Sequence, residues 1–371
     1  MKIGIDCRTV LARKTGDRTY TLNLLRGLAQ LQARGELPPG WRFHLLLDAP
    51  DAGGVLPVSP VFAPAVLSAS NARLWTMLAL PRYARRARLD LIHLQYIAPL
   101  WSPCPVVTTI HDVVWRAMPE TFPTTDRLVM NALMPGTVRR ARRILTVSED
   151  AKGEIARHLR VARRKISVTP NAVEAKYHAP VAPARIAAVR AQYGIGDAPY
   201  ILSVGVLQPR KNVPRLIEAF AQIKAAHRDW PHRLVITGKK GWGDQKSEIR
   251  NPKSEITYTD YVADDELPAL YAGAEVFAYP SLYEGFGLPI LEAMACGCPV
   301  VTSNRSSMPE VAGDAAELVD PSSVSAIASG LKRLLQDDAR REELKRRGRQ
   351  RAAYFTTERQ AKTTLAAYRL K

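Results

Sequence analysis

Short, nearly continuous apolar runs alternate with longer amphipathic stretches along the whole chain. In the first half, KIGID, FHLLL, DLIHLQ, PVVTTIHD and RILTVS read as buried strands bounded by polar or turn residues. YTLNLLRGLAQL and DRLVMNALMPGTVRRA lie between them with helical spacing. The scheme recurs in the second half, with YILSVG, RLVITG, EVFAYP, PVVTS and AELVD as strands and VPRLIEAFAQIKAA and AIASGLKRLL as helices. Alternating strands and helices imply parallel, doubly wound sheets. Two such series in 371 residues imply two α/β domains. The pattern assigns 1–174 to an N-terminal domain, 175–197 (rich in Ala and Pro) to a linker region and 198–352 to a C-terminal domain. Residues 353–371 are expected to form a helix packing back on the first domain. Such sheets bind ligands beyond the carboxyl ends of their strands, so the expected site is the cleft between two facing domains.

The stretch PSLYEGFGLPILEAMACGCPV, from Pro280, carries the densest candidate chemistry. Pro289 suits the first position of a helix and Gly297 its stop. Glu284 then lies in the loop ahead of that helix, and Glu292 just past its first turn. Both carboxylates can flank a helix N-terminus whose free N–H groups attract an anion. Two acids beside an anion repel it unless they also accept hydrogen bonds from hydroxyls, and sugar and ribose hydroxyls fit.

Composition narrows the partners. The formal charge of +18 calls for anionic company: nucleotides, lipid headgroups or nucleic acid. Residues 1–174 hold 25 Lys+Arg against 13 Asp+Glu, clustered in RYARRAR, RRARR and RHLRVARRK. The clusters lack interleaved aromatics and any nucleic-acid motif, so no nucleic acid is expected and a noncatalytic basic binding module is the rival of another class. An anionic membrane surface stays open as a partner, although the clusters lack the bulky apolar residues of an interfacial helix. No apolar run is long enough for a membrane span, and MKIGIDCRTV reads as a strand rather than a signal peptide. The four cysteines, Cys7, Cys104, Cys296 and Cys298, lack zinc spacing and suit free thiols in a reducing cytoplasm. Neither half shows a Gly-X-Gly-X-X-Gly turn after its first strand, which argues against a nicotinamide enzyme. Asp264-Asp265 reads as the capped start of a helix rather than a metal pair. Lys-Ser-Glu-Ile recurs within 246–256, one repetition that carries no function.

In order and spacing, GVLQPRKNVPRLIEAF, VITGKKGWGD, YVADDELPALYAGAEVFAYPSLYEGFGLPILEAMACGCPVV and MPEVAGDAAELVDP resemble the retaining glycosyltransferases of family 4. KIGIDCRT, DLIHLQ, TTIHDVVW, LTVSEDAKGEI and VTPNAVE extend the likeness through the first half. The resemblance implies the GT-B architecture, two facing Rossmann-like domains around an interdomain cleft, and transfer of a hexose from a nucleoside-diphosphate sugar to a glycan or lipid-linked acceptor. It implies that Glu292 holds the ribose hydroxyls and that Glu284 contacts the donor sugar near the reacting carbon. Gly285, Phe286, Gly287 and Leu288 fall with them on the donor side. Arg210 and Lys211 would neutralise charge on the departing diphosphate. Val206 stands where many members carry Arg, so Arg210 is expected to take over that work.

His111, at the end of VVTTI, would bond a donor hydroxyl while Asp112 orients the following loop. Gly16 would admit a phosphate near the first turn, although Asp17 and Arg18 replace the family's small residues there. No cofactor and no metal are expected. TTIHDVVWRAMPETFP looks most like bacterial mannosyltransferases, which makes GDP-mannose the expected donor, with UDP-glucose or a UDP-N-acetylhexosamine as the alternative. The enzyme is expected in the cytoplasm, peripheral on the inner face of the membrane.

Overall fold

The computed structural model describes residues 1–11, 15–239 and 255–369. The Lys-Ser-Glu-Ile repetition starts among 240–254 and lies outside the described residues up to its last two positions. The chain divides into two compact units: Met1–Ala117, Thr124–Ala172 and Thr356–Lys371 form the first, and Met118–Pro123 with Val173–Phe355 form the second.

Among the described residues the first unit carries a seven-stranded sheet: β1 (Lys2–Asp6), β2 (Arg42–Leu47), β3 (Phe62–Val66), β4 (Leu91–Gln95), β5 (Val106–Thr109), β6 (Arg143–Thr146) and β7 (Ile166–Val168). Their order is β3-β2-β1-β4-β5-β6-β7, with every pairing parallel. The order reverses between β1 and β4, which opens a crevice at their carboxyl ends. β1, β4 and β5 are buried on both faces, as continuous apolar runs require in a covered parallel sheet. β3 and β7 escape that signature. Phe62–Val66 is a half-exposed edge strand containing Pro64, and only one residue of Ile166–Val168 is fully buried.

The helix Gly16–Ala33 packs against the C-terminal helix Thr357–Arg369. Gly27 makes that approach possible, because a Cβ there would lie 2.1 Å from the Thr357 carbonyl oxygen. Gln360 donates to the Tyr20 carbonyl, and Tyr368 is buried against His93. Residues 356–369 therefore belong to the first unit although they end the chain.

The second unit carries β8 (Tyr200–Val204), β9 (Arg233–Thr237), β10 (Ile256–Asp260), β11 (Val276–Tyr279), β12 (Val300–Ser303) and β13 (Glu317–Val319), ordered β10-β9-β8-β11-β12-β13 and again all parallel. Leu216, Ile217 and Phe220 of helix Val213–Ala226 and Leu331 and Leu334 of helix Val324–Gln336 pack with Ile201, Leu234, Val276 and Val301 from the sheet. The stretch 175–197, read above as a linker, holds helices Ala175–His178 and Pro183–Gln192 within this unit. Alanine is the strongest helix former and Pro183 opens the second helix, so the composition that reads as linker favours helix. Asp264 and Asp265 precede helix Leu267–Gly273, but its N-cap is Glu266 without a side-chain cap bond. Among the described residues no helix is long and apolar enough to cross a membrane.

Candidate active site

The helix carrying Glu292 runs Leu288–Ala295, so Pro289 is its second residue and Gly287, with φ +103°, is the N-cap. Only glycine holds that backbone conformation without strain. Gly297, φ +75°, follows the last turn as expected. The loop ahead of the helix is tied down by the turn that follows β12. Ser307 Oγ donates to the carbonyls of Glu284 and Phe286 at 2.9 and 2.8 Å, and Ser306 Oγ donates to the Glu284 carbonyl at 2.7 Å. Glu284, Phe286 and Glu292 are buried.

Glu284 is the centre of a charged cluster at the carboxyl ends of β8 and β11, where the order of the second sheet reverses. Lys211 Nζ donates to its Oε1 at 2.6 Å, and Arg210 Nη1 donates to its Oε2 at 2.5 Å. The Tyr279 hydroxyl, at the end of β11, donates to the same Oε1 at 2.9 Å and is itself bonded by Lys211. Burial opposes ionisation of Glu284, but the guanidinium and the ammonium outweigh it and hold the carboxyl at about 2. Burial and the Glu284 charge push the Tyr279 phenol well above its ordinary range, so it stays a donor.

Arg210 is clamped from three sides, since Nε donates to Gln208 Oε1 at 3.0 Å and Nη1 also reaches the Tyr283 carbonyl. Leu282 N–H returns to the Arg210 carbonyl, and the Asn212 amide donates to the carbonyls of Pro280 and Pro321. The two loops are stitched together. Arg210 and Lys211 thus stand as the sequence places them, at the sheet's carboxyl edge, but as counter-ions of Glu284.

Glu292 sits in a separate cluster. Tyr271 OH donates to its Oε2 at 3.0 Å, and Tyr177 bonds the same carboxylate. Burial and the Glu292 charge raise both phenols well above their ordinary range. The neighbouring Cys296 thiol is pushed up to about 12, first by burial and then by Glu292, and all four cysteines are free.

In the first unit the crevice between β1 and β4 gathers His111, Gln95, Asp17, Tyr20 and Thr21. His111 Nε2 lies 2.7 Å from Gln95 Oε1 and 3.6 Å from Asp17 Oδ1. The Gln95 amide nitrogen donates to Thr21 Oγ1 at 2.7 Å and points at the Asp17 carbonyl at 3.4 Å. A carbonyl only accepts, so this fixes Gln95 with its oxygen toward His111 and assigns the proton of neutral His111 to Nε2. The Tyr20 ring meets the imidazole edge-on at 4.9 Å. Asp112 accepts the Val114 N–H at 3.1 Å and shapes the turn into helix Val114–Ala117. Gly16 opens helix Gly16–Ala33, capped by Thr15; a Cβ there would meet nothing within 4 Å. Neither its backbone nor its packing requires glycine.

Tyr279, Ser306, Ser307, Gln208, Gln95 and Asn212 escape the sequence reading. Only the buried tyrosine immediately before Pro280 had a local signal, as the last residue of an apolar strand. Among the described residues no group of three or more His, Cys, Asp or Glu side chains could hold a metal ion.

The Glycosyltransferase Family 4 model matches residues 16–177, and the model of the Glycosyl transferases group 1 matches 186–351. O-antigen chain mannosyltransferase B of Escherichia coli is 39% identical over 268 residues, 71% of this chain and 70% of that protein. The serotype-specific mannosyltransferase WbdA of the same species is 30% identical over 68% of this chain, which spans only 32% of that longer protein. Among solved structures, sucrose-phosphate synthase from Thermosynechococcus elongatus superposes with a TM-score of 0.75 at 22% identity, covering 99% of this chain and 98% of that one. Anabaena HepE in complex with UDP and glucose gives 0.73 at 18% identity, with 99% of each chain covered. The fold is GT-B, and the chain belongs to the family 4 glycosyltransferases.

Proposed function

We propose that the protein transfers a mannosyl group, with retention, from a nucleoside-diphosphate mannose to a hydroxyl of a glycan or lipid-linked acceptor, forming an α-glycosidic bond. The convergence of Arg210 and Lys211 on buried Glu284 at the sheet's carboxyl edge carries this reading. Both cations are positioned before the donor arrives, so the distal phosphate can share them with Glu284 as charge builds on it. Arg supplies a planar pair of donors and Lys a point charge. Glu284 then faces the sugar, and Glu292 takes the ribose hydroxyls in place of, or beside, Tyr271. Gly285, Phe286, Gly287 and Leu288 bring the helix N-terminus to the donor, and Gly16 leaves room for a phosphate. His111, carrying its proton on Nε2 toward Gln95, presents Nδ1 to a sugar hydroxyl, with Asp112 holding the turn.

The acceptor oxygen bonds to the anomeric carbon on the face from which the phosphate oxygen departs. The acceptor proton passes to that leaving oxygen, and the nucleoside diphosphate is released. The two cations supply the charge neutralisation that a metal would otherwise provide, so turnover is expected to survive EDTA.

The named relatives favour mannose and therefore GDP-mannose; a UDP sugar is the alternative, since the structural neighbour from Anabaena holds UDP and glucose. Thermal-shift screening with GDP, UDP and their sugars, followed by transfer from GDP-mannose and analysis of the product anomer, tests the proposal. Stabilisation by UDP alone would move the donor to a UDP sugar. A β-linked product would overturn retention.

A further inference from the structure

We propose that the first unit docks on an anionic lipid surface through one face, built from the helical segment 72–87 and the loop that follows β4. The segment comprises Ala72–Leu74, a π-helical turn Trp75–Ala79 and Leu80–Ala87. Its inner side, with Trp75, Leu80 and Ala84, is packed into the core. Its outer side leaves Leu74 and Leu78 in solvent, one turn apart. The loop adds Leu100, 64% exposed, and Trp101, 49% exposed. Three-dimensional packing joins these pieces, because the Arg85 guanidinium lies 4.6 Å over the Trp101 ring. Arg140, from a second basic cluster, donates to the Pro99 carbonyl at 3.2 Å beside the same loop.

The charge says what covers this apolar face. Arg82, Arg85 and Arg86 ring it, and among the described residues no ion pair takes them up. In the third basic cluster, by contrast, two arginines are held in ion pairs, Arg157 with Glu154 and Arg163 with Glu149. Unpaired arginines around exposed Leu and Trp side chains match a headgroup layer, where cations meet anionic lipid and an indole sits at the boundary. A bulky apolar component is thus present beside the RYARRAR cluster, supplied by residues that precede and follow it in sequence. Arg8, just past the end of β1, donates to the Ala72 carbonyl and Thr76, so the face adjoins the carboxyl edge that carries His111. A lipid-linked acceptor held there would be presented to that edge.

The inference extends the proposed function, but its test needs no turnover and so fails or succeeds separately. The full chain is co-sedimented with vesicles of phosphatidylcholine, alone or with added phosphatidylglycerol. Binding to the anionic vesicles is expected to be at least about tenfold stronger and to fall as salt rises. Leu100→Ser with Trp101→Ser, and separately Arg85→Glu with Arg86→Glu, should each lower it about tenfold or more, with thermal melting checking the fold. Arg157→Gln with Arg163→Gln should leave it unchanged. Equal binding to both vesicle types, no binding to either, or full binding by the Leu100/Trp101 variant would overturn the proposal. So would a concentration-dependent dimer abolished by that variant, which would make a second copy of the chain the occupant.

Discussion

The two units solve the same geometric problem with opposite chemistry. Each sheet reverses its strand order beside its first strand, and each gathers polar side chains at the crevice this opens. In the second unit the crevice is ionic: buried Glu284 is held between two half-buried cations, Arg210 and Lys211, which leaves one positive charge in excess. In the first it is built on side-chain hydrogen bonds, with Gln95 between His111 and Thr21 and one carboxylate, Asp17, 3.6 Å from the imidazole. The difference teaches that topology sets where a ligand binds, while the residues on the loops decide what it must be. A diphosphate suits fixed cations, and sugar hydroxyls suit amides and imidazole.

Breaking the ionic knot should have the largest effect. Lys211→Ala should lower turnover about 100- to 1000-fold, as loss of one fixed donor to developing charge does elsewhere. Glu284→Gln should destabilise the second unit by roughly 3–5 kcal/mol, because two half-buried cations lose their buried counter-ion. Steady-state kinetics with denaturant melts separates the two. Full turnover in both variants with folding intact would dissolve the site.

Acid should unfold the units in a definite order. His93 is buried in the first unit between Tyr368 and Thr109, and burial, with His111 as a second cause, lowers its pKa from 6.5 to about 3. A base neutral when folded but protonated when unfolded contributes stability fully above 6.5. That stability is lost as pH falls from there toward 3, at no more than about 1.4 kcal/mol per pH unit. Glu284 is depressed to about 2, so its contribution is intact above about 4.5 and fades only as pH falls toward 2. Hydrogen exchange between pH 6.5 and 4.5 should therefore show the first unit loosening before the second. His93→Gln should flatten that slope, and an unchanged slope would remove His93 as its source.

The smallest effect tests the hydrogen-bonded crevice of the first unit. His111→Ala should cost about tenfold in turnover, the worth of one or two hydrogen bonds. Gln95→Leu should approach it by freeing the imidazole to turn. A loss as large as that of Lys211→Ala would mean that His111 handles charge, and the contrast between the units would fail.

Much of this was legible in residue order. The buried central strands announce themselves as apolar runs, and the helix 213–226 lies where its periodicity places it. The stretch 280–297 is local enough that Glu284 in the loop and Glu292 in the helix follow from Gly, Pro and spacing alone. The edge strands β3 and β10 were illegible because their exposed residues break the continuous apolar signature, whereas AELVD did mark β13, the other edge of the second sheet.

Sequence by itself determined the doubly wound class, the existence of two sheets and the identity of the acids and cations. Only the tertiary structure decided who meets whom. Arg210 and Glu284 are 74 residues apart and Tyr368 and His93 are 275 apart, and no periodicity reports a contact at such separation. It also decided that the last helix belongs to the first unit and that Trp101 lies under Arg85. Local pattern measures how each residue is buried along its own element. Pairing across elements depends on how whole faces pack, which is settled by the shape of the core and not by neighbours along the chain.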